Sequence, residues 1–171
     1  KRGPCAVSPQ STAISTPTLV RIDLSPEKPL NICIEETPDK NLIHAHIHLA
    51  LEIGILLSGH VEENHGKGWF RLNPGQVWAC GSLEVHRWRV LRRAVELRFE
   101  FLPSLFTAIP NLQGLDPTAV FRNPIHTSAI GSSPGFRRSM INLGKELVLK
   151  YQDGTTPGQA YVDLLRLLEL V

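Results

Sequence analysis

Apolar and polar positions alternate in short runs from Thr18 to Phe101, and beyond Ser133 the apolar spacing lengthens to three and four residues. A period of two sends successive side chains to opposite faces of a strand, whereas three- and four-residue steps line one face of a helix. Thr18–Leu24 is therefore expected to form a first strand at a sheet edge and Leu30–Glu35 a second, followed by a turn over residues 36–41. Residues 43–58 supply the next strands. Gly59 opens a hairpin arm through Glu63, Asn64-His65-Gly66-Lys67-Gly68 turns it, and Trp69–Leu72 returns. Val95–Phe101 alternates most cleanly, apolar at the odd positions, so Glu96, Arg98 and Glu100 are expected on an outer, charged face of mixed sign. Short strands punctuated by turn signals about every 8–12 residues describe a sandwich or a barrel.

The period then changes. Residues 103–132 carry four prolines (Pro103, Pro110, Pro117 and Pro124) and read as an irregular wrap or short helical turns. Ser133 is placed to cap a helix with Pro134 in its first turn, and Phe136, Met140, Leu143, Leu147 and Tyr151 follow as one stripe that stops near Gly154. Thr156-Pro157 opens a second helix. Its polar stripe is Gln159, Asp163, Arg166 and Glu169, and the rest of its circumference is apolar. Apolar surface for two partners suits a homodimer through Leu164, Leu165, Leu167 and Leu168, while complete burial within one chain is the alternative. The expected organisation is a flexible segment over 1–18, a barrel over 19–102, an irregular connection over 103–132 and a helical dimerisation subdomain over 133–171. Strands first and helices after give a mainly β domain with an appended helical part. No internal repeat is visible.

Composition narrows the class. The chain has 171 residues, 42% hydrophobic and 20% charged, enough for one domain with a sizeable core. A net charge of +2 argues against nucleic-acid binding by these residues themselves. Cys5, Cys33 and Cys80 are odd in number and widely spaced, which argues against a disulfide framework and for a reducing, cytoplasmic setting. No apolar run approaches a membrane span, and nothing near Lys1 reads as a signal peptide. The chain opens without Met, its only Met being Met140, and reads as a fragment or processed form.

The strongest chemical signal is His46-Ile47-His48-Leu49-Ala50-Leu51-Glu52, followed after six residues by Gly59, with His86 near the end of a second motif that starts at Gly75. His46 and His48 share one face of a strand, and Glu52 has the same parity. Two imidazoles, a carboxylate and a later third imidazole suit a divalent transition metal: zinc, nickel, iron or manganese. The same side chains inside a small barrel could instead line a polar effector pocket. An H-x-H-x3-E-x6-G spacing is far more specific than a lone H-x-H pair.

These residues resemble the first motif of the cupin superfamily, small double-sheet jelly rolls, and Asn73–His86 resembles its second motif. Where that motif usually has Pro and Gly before its histidine, Gly81 and Leu83 stand here; Val90 replaces the closing Asn. Residues 40–171, and 46–102 above all, are similar to the N-terminal sensor domain of AraC-type transcription regulators. The resemblance implies a cupin barrel with His46, His48, Glu52 and His86 as metal ligands, followed by two helices. It also implies a small-molecule effector or metal ion as partner, a homodimer, and DNA contact only through a helix-turn-helix domain beyond this chain.

Other residues carry weaker signals. His44 shares the parity of His46 and His48 and is expected to support a ligand or line the barrel mouth. Glu62 is expected near that mouth, and Trp88 shares the face of His86 as core filling or a pocket wall, core being favoured. His60, His65 and His126 sit in turns or loops and read as solvated. Arg87, Arg89, Arg92 and Arg93 form a basic run, with Arg87 and Arg89 turned outward. Two functions remain: the effector-sensing and dimerising half of a regulator, favoured by the helical tail, or a metal-dependent cupin enzyme such as a non-haem dioxygenase or isomerase.

Overall fold

The computed structural model describes residues 16–39, 42–65, 68–107, 119–122, 133–152 and 157–170. Its strands are β1 (Thr18–Leu19), β2 (Leu30–Thr37), β3 (Leu42–Ile47), β4 (Leu51–Asn64), β5 (Trp69–Leu72), β6 (Val77–Cys80) and β7 (His86–Phe101). Helices α1 (Ser104–Thr107), α2 (Ala119–Arg122), α3 (Pro134–Gln152) and α4 (Pro157–Leu170) follow. Two long strands organise the sheet. β4 and β7 run antiparallel from Leu51 opposite Phe101 to Asn64 opposite Arg87, with register shifts between Leu56 and Val61. On the other edge of β7, β2 pairs with residues 94–101 and β3 with the part near His86–Arg89. β6 takes the start of β4 and β5 its end, while β1 lies parallel to β3. The result is the mainly β roll with appended C-terminal helices that the cupin resemblance implies.

The glycines of both motifs bend this roll. Gly59 has φ +93 within the irregular part of β4, and Gly75 has φ +83 in the turn before β6. A Cβ at Gly59 would collide with the Arg93 carbonyl oxygen, and one at Gly75 with the Arg137 backbone. Any L residue would therefore meet both backbone strain and a clash.

Two cores lie on opposite sides of the sheet. Leu51, Ile53, Ile55, Leu97, Phe99 and Phe101 pack with Met140, Leu143 and Leu147 of α3 and Leu164 and Leu167 of α4. Leu56, Val61, Leu72, Trp78, Trp88, Val90 and Ala94 pack inside the roll. Each fully buried Val, Leu, Ile, Phe or Met among them stabilises the fold by about 1.5–3 kcal/mol.

This arrangement reverses one expectation. The odd residues of 95–101 do form an apolar face, but it lies under the helices. Glu96 and Glu100 are buried at 4% and 8% exposure on the inward face rather than on a solvated outer one. Alternation marks two unlike faces without saying which is covered, and the helices cover the apolar one.

α3 begins as its residues dictate: the Phe136 N–H donates to the Ser133 hydroxyl at 3.1 Å, with Pro134 in the first turn. In α4 the polar stripe is split. Asp163 is buried and accepts from Lys150 Nζ at 2.6 Å and the Tyr151 hydroxyl at 3.2 Å. Leu164 and Leu167 are buried in their own chain, which removes them as dimer-interface residues; Leu165 and Leu168 are half-buried, and Leu168 packs against the helical core. The physical reason is the packing of α4 on α3: Lys150 and Tyr151 of α3 hold the Asp163 carboxylate, and Leu164 and Leu167 beside it go into the shared core. Among the described residues no helix is long and apolar enough to cross a membrane.

Candidate metal centre

The end of β3, the start of β4 and the start of β7 bring His48, Glu52 and His86 together. The geometry starts from their outer hydrogen bonds. His48 Nδ1–H donates to the Ala50 carbonyl at 3.0 Å, and His86 Nδ1–H donates to the Glu84 carbonyl at 3.0 Å. A carbonyl only accepts, so these bonds leave each Nε2 as the nitrogen facing inward. His48 Nε2 lies 3.1 Å and His86 Nε2 3.6 Å from the same oxygen, Glu52 Oε2. The other Glu52 oxygen receives Arg98 at 3.2 Å.

Two lone pairs and a carboxylate oxygen converging without a cation would repel one another. A cation between them, or a proton on His48 Nε2 donated to Glu52 Oε2 at 3.1 Å, relieves this. Burial works to lower the His48 pKa, but the Glu52 hydrogen bond and charge outweigh it and the pKa is raised. Burial likewise works to raise the Glu52 pKa, and His48 and Arg98 hold it below the usual carboxylate value. Burial pushes His86 down to about 4, and its Nε2 is buried without a hydrogen-bond partner. A divalent ion fits this donor set: it would occupy the position of the His48 proton and satisfy His86 Nε2.

His46, the fourth expected ligand, borders this group. It is half-buried, its ring centroid is 4.1 Å from that of His86 and 6.0 Å from that of His48, and its ring meets Trp88 edge-on at 5.2 Å. A cavity of about 400 Å³ opens beside it, lined by His46, His48 and Glu52 with Glu35, Trp88, Arg98 and Glu100. Trp88 is both core and wall: it is 8% exposed, packs in the inner core and also lines the cavity.

The remaining expectations divide. The backbone of His44 lies on β3, but its side chain falls outside the described residues, as does His126. Glu62 does not line the cavity: it pairs with Arg71 at 3.3 Å and Arg89 at 2.5 Å on the other face of the sheet. The register puts Glu62 opposite both arginines, which explains the pairing. Arg87 and Arg89 are outward, over the Trp69 ring at 5.1 and 4.5 Å. His60 is half-buried. His65 is not solvated: its side chain is 5% exposed and bridges Glu63 at 3.0 Å and Glu84 at 3.3 Å. Burial opposes its charge, yet the two carboxylates hold its pKa up at about 9.

Sequence reasoning missed Cys80, Arg98 and Glu100 as site residues. Glu52 lies directly across from Cys80 on one side and Glu100 on the other, a row visible only once the register is known. Arg98 also pairs with Glu35, and Glu100 accepts from Asn31 at 2.8 Å. The one sequence signal for this row is the charged alternation of residues 96–100, which the fold turns inward.

No family model matches the sequence, and no curated protein matches it. Solved structures similar to the chain include a cupin superfamily protein from Desulfitobacterium hafniense, at 13% identity and TM-score 0.42 over 48% of this chain and 72% of that one. The cupin domain of Schizosaccharomyces pombe Cnp3 is similar at 15% identity and TM-score 0.43, over 49% of this chain and 60% of that one. An HTH_3 family transcriptional regulator from Vibrio cholerae is similar at 17% identity and TM-score 0.42, over 48% of each chain. Likenesses this distant bear on neither activity, ligand nor partner.

Proposed function

We propose that this chain is the effector-sensing domain of an AraC-type transcription regulator, with a divalent transition metal held by His48, Glu52 and His86 at the base of the cavity. DNA contact would belong to a part of the regulator outside these 171 residues, in a reducing cytoplasmic setting. One observation carries the reading: β4 and β7 present the cavity and the helices on opposite faces of the same residues. Glu52, Arg98 and Glu100 point into the cavity, while Ile53, Phe99 and Phe101 hold α3 and α4. A ligand that shifts the inner side chains acts on the helix seat within one residue of sequence, and packed interfaces transmit such shifts.

The ion would supply a positive centre for an effector with an electron-pair donor; Arg98 and Trp88 would orient it from the wall. Hydrogen exchange on the whole chain tests the sensing role. Saturating zinc is expected to slow amide exchange in α3 and α4 as well as in β4. Metal bound with exchange in both helices unchanged would sink the proposal. A second reading, a metal-dependent cupin enzyme, is favoured by the direct contact of the cavity with His48 and Glu52. Turnover by the iron-loaded chain with silent helices would favour that reading instead.

A further inference from the structure

Just past the end of β4, the His65 ring stacks on Phe70 at 5.5 Å and on His86 at 6.0 Å between ring centroids. Its Nε2 lies 3.0 Å from Glu63 Oε2 and its Nδ1 lies 3.3 Å from Glu84 Oε1. An ionised carboxylate only accepts, so each ring nitrogen donates. Glu84 is thereby held at both oxygens, because its Oε2 accepts from the Gly81 N–H at 2.8 Å. Glu84 belongs to the turn over residues 81–84, closed by its own N–H on the Gly81 carbonyl at 3.1 Å. That turn touches both histidines of the metal centre. The Leu83 N–H donates to the His48 carbonyl at 2.7 Å, and the Glu84 carbonyl accepts from His86 Nδ1–H at 3.0 Å. Packing does not hold the turn: Ser82 and Leu83 are exposed, and Leu83 has φ 60, which a side chain with a Cβ rarely adopts. Polar ties have to fix where it sits.

Resting on the metal reading of the neighbouring centre, we propose that His65 is a positioning residue: through Glu84 it fixes the 81–84 turn, and the turn aims His86 Nε2 at the ion. The Glu84 carbonyl receives the Nδ1 proton, and so sets which nitrogen of His86 is left for a ligand bond and where the ring points. His65 clamps the side chain of the residue that carries this carbonyl. Glu63, 5% exposed on β4, holds the other side of the His65 ring, so the β4–β5 hairpin and the turn before β7 are tied together. Glu84 is 22% exposed, so without His65 its carboxylate turns to solvent and the His86 ring loses a fixed acceptor. The consequence is a weaker and less uniform metal site in a chain that still folds.

Zinc affinity of the whole chain, measured by chelator competition, tests this. His65→Ala and Glu84→Ala are each expected to weaken zinc by about 10–100-fold, the range for groups that support a ligand without touching the ion. The double variant should lose no more than either single one, because both act through one tie. Glu84→Gln should bind like the parent, since its amide N–H can donate to a neutral His65 while its oxygen still accepts from Gly81. Cobalt(II) adds a second readout: its visible bands report coordination geometry, and they should change in His65→Ala and stay as in the parent in Glu84→Gln. If His65→Ala does not fold, the two Glu84 variants carry the test, and equal losses in both overturn the proposal. Zinc affinity and cobalt bands unchanged in the alanine variants overturn it while the metal reading stands. Losses that add in the double variant overturn it as well, since the two residues would then act separately. The ligand atoms of His65, Cys80 and Glu84 themselves lie within 4.8 Å of one another. Zinc kept in His48→Ala but lost in His65→Ala would therefore put the ion on His65 itself and end the positioning role. A parent chain that binds neither zinc nor cobalt overturns the metal reading, and this proposal with it.

Discussion

At the scale of single residues, two side chains sit where their chemistry is uncomfortable. Leu83 has φ 60, a conformation that strains a side chain with a Cβ, and its N–H donates to the carbonyl of His48 at 2.7 Å. It is 55% exposed, so its side chain returns little packing for the strain. Leu83→Gly is expected to raise stability by about 1 kcal/mol in denaturant titration, and a loss of stability would count against the strain. Glu96 is buried at 4% exposure with one oxygen unpartnered, and burial with the nearby Glu63 charge raises its pKa to about 8. Its proton is therefore held more tightly folded than unfolded. This contribution to stability is complete below the ordinary value of 4.5 and is lost as pH rises through about 8. Glu96→Gln keeps the neutral shape and removes the titration. Its stability advantage over the parent should grow across that window, by at least about 2 kcal/mol at pH 8. An advantage that does not change with pH would refute the assignment.

At the scale of elements, the two faces of α4 differ. Leu164 and Leu167 are 1% and 0% exposed, whereas Val162 and Leu170 are 56% and 47% exposed, and Leu149 of α3 is 66% exposed. Self-association, if α4 carries it, must use that outer face. The two faces give opposite outcomes. Leu167→Ala should destabilise the chain by about 2–5 kcal/mol at any protein concentration, because it empties a packed site. Val162→Asp with Leu149→Asp should leave stability nearly unchanged and turn dimers into monomers in micromolar sedimentation. A parent chain that sediments as a monomer there would end the dimer proposal.

At the scale of the whole molecule, the centre ties β3, β4 and β7 together, so an ion that binds only the folded state adds to global stability. At a free concentration one hundred times its dissociation constant, that addition is about 2.7 kcal/mol. For a domain of this size the melting point should fall by roughly 5–10 °C when a chelator removes the ion. His48→Ala should melt at the same temperature with and without chelator. A chelator shift that survives in His48→Ala would move the ion elsewhere in the molecule.

The sequence by itself determined the class and most of the elements, though the first strand is Thr18–Leu19 rather than Thr18–Leu24 and the last runs His86–Phe101 rather than Val95–Phe101. Period two before Phe101 and helical spacing after Ser133 set strands and helices, because side-chain direction repeats locally. The motif spacing was enough to place His48, Glu52 and His86 near one another, since each lies at a strand end joined by a tight turn. Only the tertiary structure decided which face of 95–101 is inside, since alternation is symmetric until the helices cover one side. It alone placed Cys80 beside Glu52, because cross-strand register depends on the bulges of β4 rather than on spacing along the chain. It alone turned Asp163 inward and Glu62 outward, because the partners that stabilise them, Lys150 with Tyr151 and Arg71 with Arg89, are distant in sequence and adjacent only in the fold.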